Sequence, residues 1–542
     1  MVKRIDRGLR GRRGLLLSLA VLAPLALGSV CEGTASNRPG SITQGPVDPR
    51  CTPIGGPFPS GLDLLPGTAD RAVAMRFSPA GLLRFDLTSA PPVPDNAGPV
   101  SAVSADSDGD GLDDAFAFQQ AGLCPDLNPN CLTWPKVGSV RAAFRDVVLV
   151  TASGYEEVMF LHADGGAPWT IQVTNPVDAG AHRAADHPLL PPAGASALRT
   201  AVSTLTCVYP PTPVDSAGAA IGPARPCDPT RTGFVTRFTA ATAVVGDRLF
   251  VATSNLFSSS RATFHPGTVL IHRLEFDGAG RPIGVRPDPD TPVVFTTAFN
   301  PTGLTAHRTP TGRDVVLVTQ TGAIDAGGAL LGDSAIDVID AATARLVATV
   351  PLGLAGAAFG DLAIDPGGRV ALIGAESRRH LYAFDLSALD DPDLYVPRAS
   401  PVTLDGLTPG FADARIFDAS SPFVLPRRPD GPPDGLCASR TNVASNHDGA
   451  LAYATDWCDG SISVVAIDWS LPLERPVSRG RFAVTRRLDL FAPKTPGNFG
   501  LAAAPSLPRT RPGVPGRDFD GPDLFFLVNE PEGQLCAARV EY

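Results

Sequence analysis

The stretch Ala335–Gly353, AIDVIDAATARLVATVPLG, contains two apolar runs separated by the polar turn AAT. Both runs are rich in Val, Ile and Leu and have the length of a strand rather than of a helix. β-Branched residues pack well on a pleated surface, which favours extended structure over helix here. This stretch therefore predicts two antiparallel strands joined by a short turn.

The same strand–turn–strand unit recurs seven times along the chain. The first strands of the seven units begin at Arg71, Asp146, Arg248, Asp314, Arg369, Ala450 and Asp523. Gly and Pro number 55 each, and so many helix-breaking residues argue against long helices. Repeats of this kind bury their apolar faces against their neighbours. We therefore predict an all-β chain built from stacked repeats.

Two adjacent segments resemble a known repeat. Ala335–Gly353 resembles the YVTN-type repeat of surface-layer and periplasmic β-propellers, and Gly360–Leu386 resembles the next repeat, with DPGG where that family has SPDG. With the seven units, this resemblance implies a seven-bladed β-propeller. Insertions at the blade rims, near 176–234 and 390–436, explain why the units are spaced more widely than the ~40–45 residues of a WD40 repeat. Two stacked β-sandwiches are the alternative architecture.

The amino terminus has the pattern of an export signal. The basic segment Met1–Arg13 precedes Leu15–Leu27, an apolar run of 13 residues. Such a run is too short to span a hydrocarbon core of ~30 Å. We predict a signal peptide over 1–30, a flexible tether over 31–50 and the propeller over 51–542.

Cys31 follows the apolar run directly, which resembles a bacterial lipoprotein signal. In that family the cysteine is acylated and becomes the mature amino terminus. Gly28 stands where leucine is usual and Val30 where a small residue is usual, so conventional cleavage after Gly28 is the alternative. We expect a lipid on Cys31, and no other contact with the membrane.

The other eight cysteines form an even set, and an exported chain meets an oxidising environment. Their spacing favours four disulfides over free buried thiols, which are the alternative. The predicted pairs are Cys51–Cys536, Cys124–Cys131, Cys207–Cys227 and Cys437–Cys458. The first pair would join the two ends of the propeller. No cysteine spacing typical of zinc or haem sites is present in the sequence.

The segment DSDGDGLDD, residues 106–114, has the ligand spacing of a calcium loop. The side chains of Asp106, Asp108, Asp110 and Asp114 occupy loop positions 1, 3, 5 and 9, and the carbonyl of Leu112 occupies position 7. Because a strand-like run follows, the segment resembles the calcium loop of FG-GAP or integrin-type propeller repeats. We expect a structural Ca²⁺ ion that holds a blade hairpin; a solvated acidic turn is the alternative.

No common catalytic motif stands out: GxSxG, HExxH, P-loop and dinucleotide-binding sequences are all missing from the chain. The net charge of −10, without a basic stripe, argues against nucleic acid as a partner. We expect a monomeric binding or scaffold protein of the bacterial cell envelope, periplasmic or attached to the outer membrane, with a protein or glycan ligand. The alternative is a propeller enzyme, either a hydrolase or lactonase or a quinone-dependent dehydrogenase, with its site in the central channel.

The calcium loop yields the first testable prediction. Calcium at 100 times its dissociation constant should stabilise the folded protein by ~2.7 kcal/mol, because the ion binds only the folded loop. Thermal unfolding with and without a chelator measures this difference, and Asp108→Ala should abolish it. A chelator effect that survives in Asp108→Ala would place any calcium site elsewhere.

Overall fold

Strands form nearly all of the regular structure in the part of the chain that can be described. The computed structural model describes residues 43–44, 50–54, 59–66, 71–76, 81–89, 91–95, 137–153, 156–176, 191–210, 233–258, 263–323, 333–353, 360–365, 367–375, 379–417, 423–427, 429, 443–445, 451–456, 460–467, 482–489, 524–528 and 533–538. The only helices in these ranges are two short 3₁₀ helices, Leu386–Asp390 and Pro392–Tyr395.

The first two blades follow two strands from the amino-terminal segment. Those two strands are β1 (Thr43–Gln44) and β2 (Arg50–Pro53). Blade 1 contains β3 (Pro59–Leu64), β4 (Arg71–Arg76), β5 (Gly81–Asp86) and β6 (Val93–Pro94). The next strands are β7 (Val137–Arg141), β8 (Val147–Ala152), β9 (Glu157–His162), β10 (Ile171–Asn175), β11 (Ala195–Arg199) and β12 (Ala201–Ser203). Blade 2 has the order β7-β8-β9-β12, while β10 and β11 extend blade 3.

Blade 3 is the largest sheet, with seven strands. It is preceded by the short pair β13 (Cys207–Val208) and β14 (Phe234–Val235). The following strands are β15 (Thr239–Val245), β16 (Arg248–Thr253), β17 (Leu256–Ser258), β18 (Thr263–Phe264), β19 (Thr268–Phe276), β20 (Pro282–Pro287) and β21 (Val293–Phe295). The sheet order is β11-β10-β20-β19-β16-β15, with β21 also paired to β19, and β17 and β18 form a separate hairpin.

The remaining blades follow in chain order. Blade 4 contains β22 (Pro301–Arg308), β23 (Asp314–Gln320), β24 (Ser334–Asp340) and β25 (Arg345–Gly353). Blade 5 contains β26 (Ala363–Ile364), β27 (Val370–Gly374), β28 (His380–Asp385) and β30 (Phe423–Val424), whereas β29 (Val402–Thr403) pairs with blade 4. Blade 6 contains β31 (Val443–Ser445), β32 (Leu451–Asp456), β33 (Ser461–Ile467) and β34 (Phe482–Asp489).

The two ends of the chain meet in one further sheet, which we call the closing sheet. It contains β35 (Leu524–Val528), β36 (Gln534–Ala538) and β2, and its register places Cys51 opposite Cys536. Both faces of β35 are buried. Phe526 packs in a core shared with blade 6, and Phe525 packs in a core shared with blade 1. The closing sheet thus joins the last blade to the first.

A hydrophobic core fills each interface between successive sheets in the described part of the chain. These cores run from blade 1 to blade 6 and return through the closing sheet to blade 1. Every sheet therefore buries both of its faces against neighbours. This arrangement is a closed β-propeller, in agreement with the predicted all-β propeller class.

The predicted number of blades is wrong. Among the residues that the structure describes, six sheets have four or more strands, so the ring has six blades rather than seven. The seventh repeat unit contributes only β35 and β36, and β2 from the other end of the chain completes a three-stranded sheet. Each repeat unit in the sequence identifies one pair of strands. A pair alone does not show which other strands complete its sheet, so seven units do not require seven full blades.

Three blades carry an extra parallel strand from a distant segment. β29, from the predicted insertion 390–436, pairs with β25 of blade 4, and β10 pairs with β20 of blade 3. β1, from the predicted tether, pairs with β34 of blade 6. Added strands of this kind cover backbone N–H and C=O groups that an open sheet edge would expose.

The close approach of Gly303 in β22 to Gly360 yields a stability prediction. A Cβ atom on Gly303 would lie 1.9 Å from the Gly360 carbonyl oxygen, so Gly303→Ala requires the backbone to move. We expect a loss of about 3 kcal/mol in unfolding free energy. The matched control Gly278→Ala meets no atom within 4 Å and should change stability by less than about 0.5 kcal/mol. Equal denaturation midpoints for the two variants would contradict the packing described here.

Candidate binding site at the centre of the ring

The innermost strands of the sheets surround the centre of the ring. These strands are β3, β7, β15, β22, β26, β31 and β35. β7 lies against β3 and β15, and β15 lies against β22. Side chains at the ends of these strands can therefore reach several blades at once.

Arg141, the last residue of β7, extends its guanidinium into this centre. Its Nε donates a hydrogen bond to the Thr242 carbonyl in β15, at 3.2 Å. Its Nη2 donates to the Leu304 carbonyl in β22, at 3.2 Å, and to Oδ2 of Asp361. Its Nη1 lies 4.0 Å from Oδ2 of Asp63 in β3. One side chain of blade 2 therefore links blades 1, 3 and 4 and the residue that leads into blade 5.

The two carboxylates around Arg141 also accept hydrogen bonds from the main chain. Asp63 accepts from the N–H groups of Ala142 and Leu64, both at 2.9 Å. Asp361 accepts from the N–H of Leu304 at 2.9 Å. We call Asp63, Arg141 and Asp361 the central cluster. Each of its acids is shared between the guanidinium and the backbone of an inner strand.

Burial and charge act in opposite directions on this cluster. Burial raises the pKa of Asp63, although the positive charge of Arg141 and the N–H groups of Ala142 and Leu64 act to lower it. Burial acts to lower the pKa of Arg141, but the carboxylates of Asp361 and Asp63 outweigh that effect and the net shift is upward. The guanidinium therefore stays protonated at the centre of the ring.

The groups of the central cluster bond to one another and to the main chain of inner strands. An Arg side chain has no acceptor atom and cannot act as a general base. Both acids are engaged by Arg141 and by main-chain donors, and the Asp361 side chain is also 37% exposed. No group of three His, Cys, Asp or Glu side chains that could hold a metal ion occurs among the described residues.

Two of the predicted disulfides involve described residues. Cys51 and Cys536 form a disulfide across β2 and β36, with Cα atoms 4.0 Å apart and a sequence separation of 485. Cys207 is also disulfide-bonded, and its predicted partner Cys227 lies outside the described residues. The other four cysteines of the predicted pairs also lie outside them: Cys124, Cys131, Cys437 and Cys458.

The other predicted sites lie in parts of the chain that the structure does not describe. They are the calcium ligands Asp106, Asp108, Asp110, Leu112 and Asp114 and the lipidation residue Cys31. In the sequence, the predicted calcium loop lies between β6 of blade 1 and β7 of blade 2. Within the described ranges, no helix is long and apolar enough to cross a membrane.

Sequence reasoning missed the central cluster. Asp63 lies in β3, Arg141 in β7 and Asp361 just before β26, and 220 positions separate Arg141 from Asp361, so no short motif contains them. The available signal is a charged residue in an otherwise apolar or neutral inner strand, as in VGSVR for Arg141 and PSGLDL for Asp63. That signal identifies unusual residues but does not show that they meet.

Known proteins resemble this chain only in outline. No protein-family model and no curated protein matches the sequence. The β-propeller domain of Cps50 (Swd1) from Myceliophteria thermophila is 10% identical, with 92% of this chain and 100% of that chain covered and a TM-score of 0.39. The C-terminal WD40 domain of Sif2 is 8% identical, with 91% and 99% covered and a TM-score of 0.41. Hsv2 of Kluyveromyces lactis is 9% identical, with 80% and 100% covered and a TM-score of 0.33.

The central cluster predicts a large effect for Arg141→Met. This change leaves two carboxylates facing each other without their cation, so we expect unfolding free energy to fall by about 2–3 kcal/mol. The value is below the 3–5 kcal/mol typical of a fully buried pair because the Asp361 side chain is 37% exposed. Chemical denaturation measures this loss.

A surface ion pair provides the control for this prediction. Arg286 and Glu275 are 3.8 Å apart with side chains 50% and 62% exposed, so Arg286→Met should cost less than about 1 kcal/mol. Adding Asp63→Asn and Asp361→Asn to Arg141→Met should recover part of the loss, because no unpaired charge remains. If Arg141→Met were no more costly than Arg286→Met, the central cluster would not hold the ring together.

Proposed function

We propose that this chain is an exported β-propeller that binds a protein partner in a bacterial cell envelope, held there by a lipid on Cys31. Export is supported by the basic and apolar segments that precede Cys31. It is also supported by the Cys51–Cys536 disulfide, because disulfides persist in oxidising compartments. The resemblance of Ala335–Gly353 to YVTN-type repeats supports the same location.

The central cluster is the observation that carries the binding role. A propeller enzyme with its site in the channel would need polar groups there that are free to meet a substrate. Here the guanidinium of Arg141 bonds to the carbonyls of β15 and β22, and both of its acid partners also accept main-chain hydrogen bonds, which supports a structural role for these groups. Propellers also bind ligands through the loops at the channel mouths and through rim insertions.

The insertion 390–436 is the best candidate for the partner surface. It contains three of the six exposed large apolar side chains of the described residues: Val396 at 51%, Leu407 at 83% and Val424 at 61% exposure. Described residues of the insertion are also anchored to blade 4. The guanidinium of Arg313 stacks over the Tyr395 ring at 3.8 Å, and β29 pairs with β25. An ordered surface with exposed apolar groups loses little conformational entropy on binding.

We further propose that the loop at residues 106–114 binds a structural calcium ion, as in FG-GAP repeats. Its carboxylates repel one another unless a cation neutralises them, which supports this assignment. Its place between β6 and β7 suits an ion that fixes the passage from one blade to the next.

Membrane attachment is tested by cell fractionation. The wild-type protein should partition with membranes and into detergent, and mass spectrometry should find an acylated amino terminus at Cys31. Cys31→Ala should appear in the soluble envelope fraction. A soluble wild-type protein that begins at Ser29 would show conventional cleavage instead and would remove the anchor from the proposal.

The binding role is tested by photo-cross-linking in intact cells. A photoreactive residue at position 407 should capture an envelope protein in a discrete adduct, whereas the same residue at buried position 317 should not. Arg308, which is 72% exposed on a different part of blade 4, provides a surface control. Equal capture at 407 and 308 would indicate non-specific proximity. No adduct at 407, or only glycan there, would contradict a protein partner at this surface.

A further inference from the structure

A buried carboxyl group lies beneath a surface loop where blade 3 passes into blade 4. Asp337, in the middle of β24, is 0% exposed. Loop 296–300 connects β21 to the inner strand β22, and its residue Thr297 is exposed. The N–H of Thr297 donates to Asp337 Oδ2 at 2.7 Å, and its hydroxyl donates to Oδ1 at 2.6 Å. One exposed residue therefore holds the loop onto one buried acid.

Among the described residues, no opposite charge acts on the carboxyl of Asp337. Its neighbours across the sheet are Val318 on β23 and Thr349 on β25, and all five residues of loop 296–300 are uncharged. Gln320 of β23 lies on the same face and accepts a hydrogen bond from the Ala298 N–H at 2.6 Å. The residues of blade 3 that pack on this face form an apolar core. Hydrogen bonds from Thr297, Thr349 and Gln320 favour the ionised carboxylate, but burial of the group outweighs them.

Loop 296–300 in turn holds other parts of the same surface. The carbonyls of Phe299 and Asn300 accept hydrogen bonds from Gly322 and Thr321, at 3.1 and 3.0 Å. The Phe299 ring packs with Leu256 and Phe264, which belong to the hairpin β17–β18. Any release of Thr297 from Asp337 would loosen both of these contacts.

We propose that Asp337 is a pH-sensitive clasp, which holds loop 296–300 against blade 4 when its carboxyl is protonated and releases it on ionisation. Burial raises the pKa of Asp337 to about 6, although hydrogen bonds from Thr297 oppose the shift. In an opened loop the carboxyl is hydrated and has an ordinary pKa near 4. The closed form therefore binds the proton more tightly, and raising the pH favours the open form.

The size of the effect follows from this difference. Each pKa unit between the closed and open forms changes their ratio tenfold, so the open fraction should rise by up to about a hundredfold between pH 4 and pH 7. The change is complete once the pH exceeds the pKa of the closed form. Below pH 4 both forms are protonated and the loop stays closed.

Hydrogen exchange corrected for intrinsic rates tests the clasp. In the wild-type protein, protection of the Thr297 and Ala298 amides should fall by up to about a hundredfold between pH 4 and pH 7. Asp337→Asn keeps an acceptor for the Thr297 N–H but cannot ionise, so its protection should not change over this range. Asp340→Asn removes another carboxylate of β24, which bonds to Thr343 rather than to the loop, and should keep the wild-type response.

Two results would overturn the proposal. One is pH-independent protection in the wild-type protein, and the other is the same fall in protection in Asp337→Asn. If Asp337→Asn does not fold, an NMR titration of the wild-type Thr297 amide replaces it and should show a midpoint near the Asp337 pKa of about 6. A midpoint near 4 would show that the carboxyl is hydrated and that no clasp exists.

Discussion

The closing sheet, in which β2 pairs with β36, joins the first and last parts of the chain. Without this sheet, blade 1 and blade 6 would each expose an apolar face to water. The closing sheet covers both faces, with Phe525 against blade 1 and Phe526 against blade 6. The Cys51–Cys536 disulfide restrains the unfolded chain through a very long loop, for which the chain-entropy model gives more than ~4.7 kcal/mol.

The centre of the ring is closed by a different kind of interaction. At the outside, a disulfide and a shared strand join the two ends of the chain; at the inside, the charged central cluster joins inner strands that are far apart in sequence. Apolar cores between sheets are not directional and permit small rotations of one blade against the next. The hydrogen bonds of Arg141 require particular positions of β15 and β22. They therefore restrict the rotation of blades 3 and 4 that the apolar cores alone would permit.

Local patterns in the sequence predict local structure well. The run DVVLVT predicts the buried strand β23, and AIDVID predicts β24, because apolar strand-length runs need little context. The Cys51–Cys536 pair could be inferred because closure of a ring brings the ends together. The count of six blades could not, because strands of two or three residues such as β6, β26 and β30 carry no recognisable periodicity. Arg141 and Asp337 bond to residues distant in sequence, and no sequence pattern in this chain identifies those partners.

Peptide mapping without reduction tests ring closure most directly. Proteolysis of the oxidised protein under conditions that prevent disulfide exchange should release one cross-linked peptide that contains Cys51 and Cys536, and reduction should separate it into two. This result would place β2 beside β36 in the folded protein. A peptide that links Cys51 to any other cysteine would contradict both the closing sheet and the order of blades around the ring.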